Sequence, residues 1–188
     1  MNATDVAAVL ARARQGDSEA FRTLVERHSR RAFQLAYRIT GNEHDAEDVV
    51  QESFIRAYRQ LGRFEARAHF ATWLHRIVAN CSVDLIRSRR TRHDHASTDD
   101  LAATEQPEAD GASPERLAAS AQIERKVAAA MTELSPLERA AFTLRHYEGR
   151  SIAEIGKTLG LGTSATKHSV FRAVRKLRAA LEPLRGES

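Results

Sequence analysis

One cysteine in 188 residues, Cys81, excludes an internal disulfide framework and suits a reducing compartment. No apolar run approaches the length that spans a bilayer. The opening residues, MNATDVAAVLARARQGD, also lack the basic start and long apolar centre of a secretory leader, so a cytoplasmic protein without membrane insertion is expected. Strand-like alternation and internal repeats are absent. There is no phosphate-cradling glycine loop, and no serine or cysteine stands in a nucleophile's setting. An enzyme is therefore not expected, and no catalytic residue or cofactor is assigned. The acidic run Glu43, Asp45, Glu47, Asp48 is the one place to ask about magnesium. Glu47 with Gln51 and Asp48 with Glu52 are i, i+4 neighbours, which makes a helical ridge and no concave cage. His93 and His95 flank Asp94 without further ligands nearby, so no metal site is expected.

What the chain has in quantity is charge, with cations in excess. The formal charge is +4 and the pI about 9.6, with 42% hydrophobic and 29% charged residues, as in a soluble helix-rich protein with a polyanionic partner. The most informative stretch is Arg150 to Leu181, RSIAEIGKTLGLGTSATKHSVFRAVRKLRAAL. Ser151 and Glu154 form a capping box, and Ile152, Ile155 and Leu159 share a face. Gly160 ends the first helix, Leu161 plugs the turn, and Thr163 or Ser164 can cap a second helix. There Ala165, Val170, Val174, Leu177 and Leu181 are expected inward, leaving Lys167, His168, Phe171, Arg172, Arg175 and Lys176 outward. A helix-turn-helix with a basic second helix fits a DNA major groove.

Earlier in the chain, Thr4 is expected to cap a first helix that Gly16 ends, and Asp17 to start a second that Gly41 stops. A third begins near Asn42, with Val50, Phe54, Ala57, Tyr58 and Leu61 inward and Gly62 after it. Its acidic first turn favours the positive end of the helix dipole, but Glu52 lies too far along for that explanation. The loop RFEARAHF follows. A fourth helix runs to about Ser88, burying Phe70, Trp73, Leu74, Ile77, Val78, Cys81 and Leu85, while Arg76, Asn80, Asp84 and Arg87 line another face. Phe64, Phe70 and Trp73 among Arg63, Arg67, His69 and Arg76 form the composition of a single-strand platform, where aromatics stack on bases and cations track phosphates. Core packing competes for Phe70 and Trp73, whereas Phe64 and His69 are freer. From Asp94 the segment DHASTDDLAATEQPEADGASPE holds no lysine or arginine and few large apolar residues, and reads as a flexible acidic linker. Ser113 and Pro114 open the next helix, and Ser135, Pro136 and Glu138 another.

Two ordered blocks now resemble a known family. DAEDVVQESFIRAYRQLGRF (Asp45 to Phe64) with FATWLHRIVANCSVDLIRSRR (Phe70 to Arg90) is similar to region 2 of the sigma-70 family of bacterial RNA polymerase initiation factors. LSPLERAAFTLRHYEGRSIAEIGKTLGLG, continuing through KHSVFRAVRKL, resembles region 4. With only these regions and a short linker, the chain resembles the extracytoplasmic-function (ECF) group. The resemblance implies an all-α protein of two small helical domains: a region 2 bundle over 1–92, a linker over 93–112 and a region 4 helix-turn-helix over 113–188. It implies that Asp48, Gln51 and Glu52 dock on the β′ clamp of core RNA polymerase. Phe64, Arg67, His69, Arg76, Asn80, Asp84 and Arg87 would then melt and hold the minus-10 promoter element, since an extruded base needs a receiving pocket. Ser164, Thr166, Lys167, His168, Phe171 and Arg172 would read the minus-35 element, with Arg175 and Lys176 on phosphates. The helix near Pro136 would touch the β flap, and an anti-sigma protein is an implied partner. The run Ser164 to Ser169 departs from the Gly-Thr-Val and Ser-Arg pattern frequent in the family, so base preference does not transfer.

The reading is thus a sigma factor directing promoter-specific initiation. A stand-alone helix-turn-helix regulator, with tight duplex binding by the isolated chain, stays open beside it, as does a metal-dependent nuclease built on the acidic helix. The linker is either a solvated tether or an electrostatic mimic of transcript in the polymerase's RNA exit path.

Overall fold

A computed structural model describes residues 3–64, 69–95 and 125–182, and every regular element among them is helical. The chain divides into two compact units, Met1–Leu85 and Ile86–Ser188, with the boundary inside a helix.

In the first unit α1 spans Ala3–Arg14, α2 Ser18–Thr40, α3 Glu43–Gln60 and α4 Phe70–His95, with a 3-10 turn at Leu61–Arg63 before the last. The boundaries follow local chemistry. Asp17 caps α2 by accepting from the Ala20 N–H, and that bond, with the Arg12 guanidinium beside it, holds its carboxyl below the usual range. Gly41 ends α2 in the left-handed region at φ 74°, and Asn42 caps α3 by accepting from Asp45 N–H. α2 packs on both α1 and α3. Ala32, Ala36, Ala46 and Ala57 are wholly buried, and such small side chains let helix backbones approach closely. Leu24, Leu35, Ile39, Leu74 and Val78 fill the centre, each contributing about 1.5–3 kcal/mol of burial.

Four expectations shift in this unit. α1 already includes Thr4, so that residue is not its cap. Gly62 sits inside the 3-10 turn. Tyr58, expected inward, is half exposed and lies edge-on to Phe21. α4 runs on to His95 because nothing from Ser88 onward breaks it, neither glycine nor proline, so residues 93–95 are helix and not linker.

In the second unit α5 covers 125–132, α6 Pro136–His146, α7 Ile152–Leu159 and α8 Thr163–Leu181. Ala130, Leu134, Ala173 and Leu177 form its core, with Met131 and Phe142 against them. Both expected capping boxes close. Ser135 and Ser151 N–H donate to Glu138 and Glu154 at 2.9 Å, and each hydroxyl accepts the reciprocal amide at 3.2 Å. Gly160 ends α7 at φ 67°. A Cβ on Gly156 would lie 2.7 Å from the Leu161 carbonyl oxygen and 3.0 Å from Thr166 Oγ1, so the turn closes on α7 only with glycine there. The α8 cap differs from expectation. Gly162 holds that position without a side-chain bond, and Thr163 and Ser164 are exposed helical residues. The linker, the helix start at Ser113 and Pro114, and Arg67 lie outside the described residues.

Candidate nucleic-acid interface

α4 brings Arg76, Asn80, Asp84 and Arg87 onto one face at three- and four-residue steps; all are exposed except Asn80, which is half-buried. His69 is exposed immediately before the helix, and its carbonyl accepts the Thr72 and Trp73 amides at 3.0 and 3.1 Å. Phe64 is a correction. It is 3% exposed, its ring 4.9 Å from Trp73 and 6.1 Å from Phe70, and therefore braces the start of α4 from inside. The cluster continues to α2, where the His28 ring lies 5.2 Å from Phe70. His28 Nε2 is buried without a hydrogen-bond partner, and burial, aided by Arg27, His75 and Arg31, holds its proton affinity below the ordinary value.

On α3, Asp48 and Gln51 are exposed, while Glu52 is half-buried. Glu52 accepts from Arg56 Nε at 2.6 Å, and Arg56 reaches Asp84 of α4 at 3.2 Å. Glu52 thus has an i, i+4 partner on α3 itself, and Asp84 of α4 shares it across the helix pair. Beside the ridge a groove of about 730 Å³ opens between α2 and α3, lined by Phe21, Val25, Val50, Phe54, Ile55 and Tyr58, with Gln51 at its margin.

On α8, Ser164, Lys167, His168, Phe171, Arg172 and Arg175 are exposed, Phe171 at 64%. One of the predicted contacts is corrected. Thr166 is fully buried, donates its hydroxyl to the Gly162 carbonyl at 3.0 Å and faces Gly156, so Ala165 takes the outward place expected of it. Lys176 Nζ lies 2.7 Å from Glu138 Oε2, which ties α8 to the capping box of α6. Burial opposes the Glu138 charge, but Lys176 and the Ser135 N–H outweigh it and hold the carboxyl below its usual range. Glu138 was legible only as half of a capping box; its second partner lies 38 residues away. Among the described residues no three His, Cys, Asp or Glu side chains gather as a metal would require, and no helix is long and apolar enough to cross a membrane.

This arrangement has relatives. Residues 24–92 match the family description Sigma-70 region 2, and residues 124–177 match Sigma-70, region 4. The ECF RNA polymerase sigma factor SigW of Bacillus subtilis is 33% identical over 175 residues, 91% of this chain and 94% of that protein. The RNA polymerase sigma-H factor of Pseudomonas aeruginosa is 34% identical over 181 residues, 94% of each chain. Among solved structures, CnrH in complex with the cytosolic domain of CnrY superposes with a TM-score of 0.63 at 30% identity, covering 94% of this chain and 96% of CnrH. With both regions matched in order and full-length relatives above 30% identity, the chain belongs to the ECF group of the sigma-70 family and functions as an RNA polymerase sigma factor.

Proposed function

We propose that the chain binds core RNA polymerase through Asp48 and Gln51 together with the neighbouring apolar groove. Promoter DNA is then gripped at two places. His69 and the α4 face of Arg76, Asn80, Asp84 and Arg87 hold the opened minus-10 strand. Lys167, His168, Phe171 and Arg172 of α8 read the minus-35 element, with Arg175 on phosphate. The observation that carries this reading is the α8 face: four exposed residues, three of them basic or imidazole and one a solvent-facing phenylalanine, on the second helix of a helix-turn-helix. The chemistry of RNA synthesis belongs to the core enzyme, and the working compartment is the cytoplasm. An anti-sigma protein covering these same surfaces fits the family and the occurrence of the relative CnrH in a complex with CnrY. Each DNA contact is weak alone, because affinity arises from engaging both elements on one polymerase.

Run-off transcription with core polymerase on genomic fragments tests the reading. A promoter-specific transcript dependent on the chain is expected; its absence with every competent core, or tight specific duplex binding without core, would overturn it. Asp48→Arg is a cleaner probe of core binding than a change at Glu52, since Glu52 also holds Arg56. Core affinity should fall at least tenfold with helix content unchanged, and intact affinity would remove the ridge from the interface.

A further inference from the structure

Arg27, Arg30 and Arg31 stand exposed on α2, a helix whose assigned contacts so far are only the apolar side chains Phe21 and Val25 of the groove. The stretch RHSRRAFQLAYRITG that contains them carries no carboxylate. Arg22 shows the contrast: one turn earlier it lies between Glu19 at 2.9 Å and Glu26 at 3.7 Å. The other three make no ion pair among the described residues. At i, i+3 and i, i+4 spacing they repel one another and destabilise their own helix. The helix dipole does not account for them, because its effect is confined to the last turn and they lie more than two turns before Thr40. A cationic cluster maintained against self-repulsion calls for an anion from outside.

Two features indicate which anion. First, residues 1–125 contain no lysine at all, so every fixed cation of this unit is a guanidinium, whose planar fork matches phosphate oxygens. Second, Arg27 and Arg31 flank His28, whose ring meets Phe70 at 5.2 Å, and Phe70 in turn meets Trp73 at 5.7 Å. Arg27 and Arg31 are close enough to the His28 ring to lower its proton affinity, so the arginines stand beside the helix surface from which His28 joins the aromatic cluster. We infer that Arg27, Arg30 and Arg31 form a phosphate-binding ridge on α2 that holds the backbone of promoter DNA alongside the opened minus-10 segment. This rests on the reading that α4 and its preceding loop engage that segment.

The test uses the full chain with core polymerase and a promoter fragment recovered from the run-off assay. Open-complex affinity is measured from about 50 to 200 mM salt for the wild type, for the triple variant Arg27→Gln/Arg30→Gln/Arg31→Gln, and for the same three positions changed to lysine. Each phosphate contact contributes about 0.9 to the slope of log affinity against log salt, so the glutamine triple should be shallower by about two to three and bind more than tenfold more weakly at low salt. The lysine triple should keep most of the slope, and Arg31→Gln alone should lower it by about one. Core affinity, read by competition, should stay at the wild-type level in all variants. An unchanged slope in the glutamine triple would refute the ridge. Lost core affinity with an unchanged slope would make the surface a polymerase contact and refute it equally. A wild-type chain that forms no promoter complex would instead bring down the sigma-factor assignment of these faces, and this inference with it.

Discussion

α4 and α8 both present cations to solvent, but they treat their aromatic residues in opposite ways. Around the start of α4, Phe64 and Phe70 are 3% and 4% exposed and lock against each other and Trp73. On α8, Phe171 is 64% exposed among Lys167, His168 and Arg172. Buried rings stiffen the base of a loop; an exposed ring is available to apolar groups on base edges such as the thymine methyl. The α4 face thus leaves its outer chemistry to polar side chains, and α8 places an aromatic directly on its reading face.

The largest effect that could break this contrast is at Phe64. Phe64→Ala removes a buried brace and should cost about 3–5 kcal/mol in urea unfolding. A cost below about 1 kcal/mol would mean that the ring is not the support described. Gly156→Ala comes next. The new methyl meets the Leu161 carbonyl, and overpacking there should cost about 1–3 kcal/mol and weaken minus-35 dependence, measured by melting and by transcription from templates with and without that element.

Acid provides a smaller and more selective probe of the aromatic base. Burial makes His28 bind protons less readily in the fold than in the unfolded chain, so the unfolded state gains protons first as pH falls. The sign follows: stability is intact above about pH 6.5 and declines below it. Melting midpoints should drop as pH falls below about 6.5, and His28→Gln should flatten that decline. The smallest stability effect belongs to Phe171→Ala, within about 0.5 kcal/mol of wild type because its ring is 64% exposed. Its minus-35 dependence should nevertheless fall severalfold, and equal promoter use by this variant would take Phe171 off the reading face.

Much of this architecture was legible residue by residue. Asp17, Asn42, Ser135 and Ser151 announce helix starts because a side-chain oxygen can satisfy an amide two or three residues on, and Gly41 and Gly160 announce ends because they accept positive φ. The outward face of α8 was correct for Lys167, His168, Phe171, Arg172 and Arg175, which follows from helical period alone. Thr166 was misplaced because period alone does not choose between a threonine and its neighbour Ala165. Contact with Gly156 and a hydroxyl bond to Gly162 made that choice.

The local signals, caps, periods and punctuation, were the sequence's own contribution: they depend on atoms within about one helical turn, and they determined an all-helical chain of two motif blocks. Only the tertiary structure decided which polar and aromatic groups remain available to a partner. Phe64 went inward, Glu52 and Asp84 were drawn to Arg56, and Lys176 was drawn to Glu138, while Phe171, Arg27, Arg30 and Arg31 stayed out. Apart from the i, i+4 pairing of Glu52 with Arg56, those outcomes depend on groups up to 38 residues apart meeting across packed helices, and no spacing within a single helix encodes them.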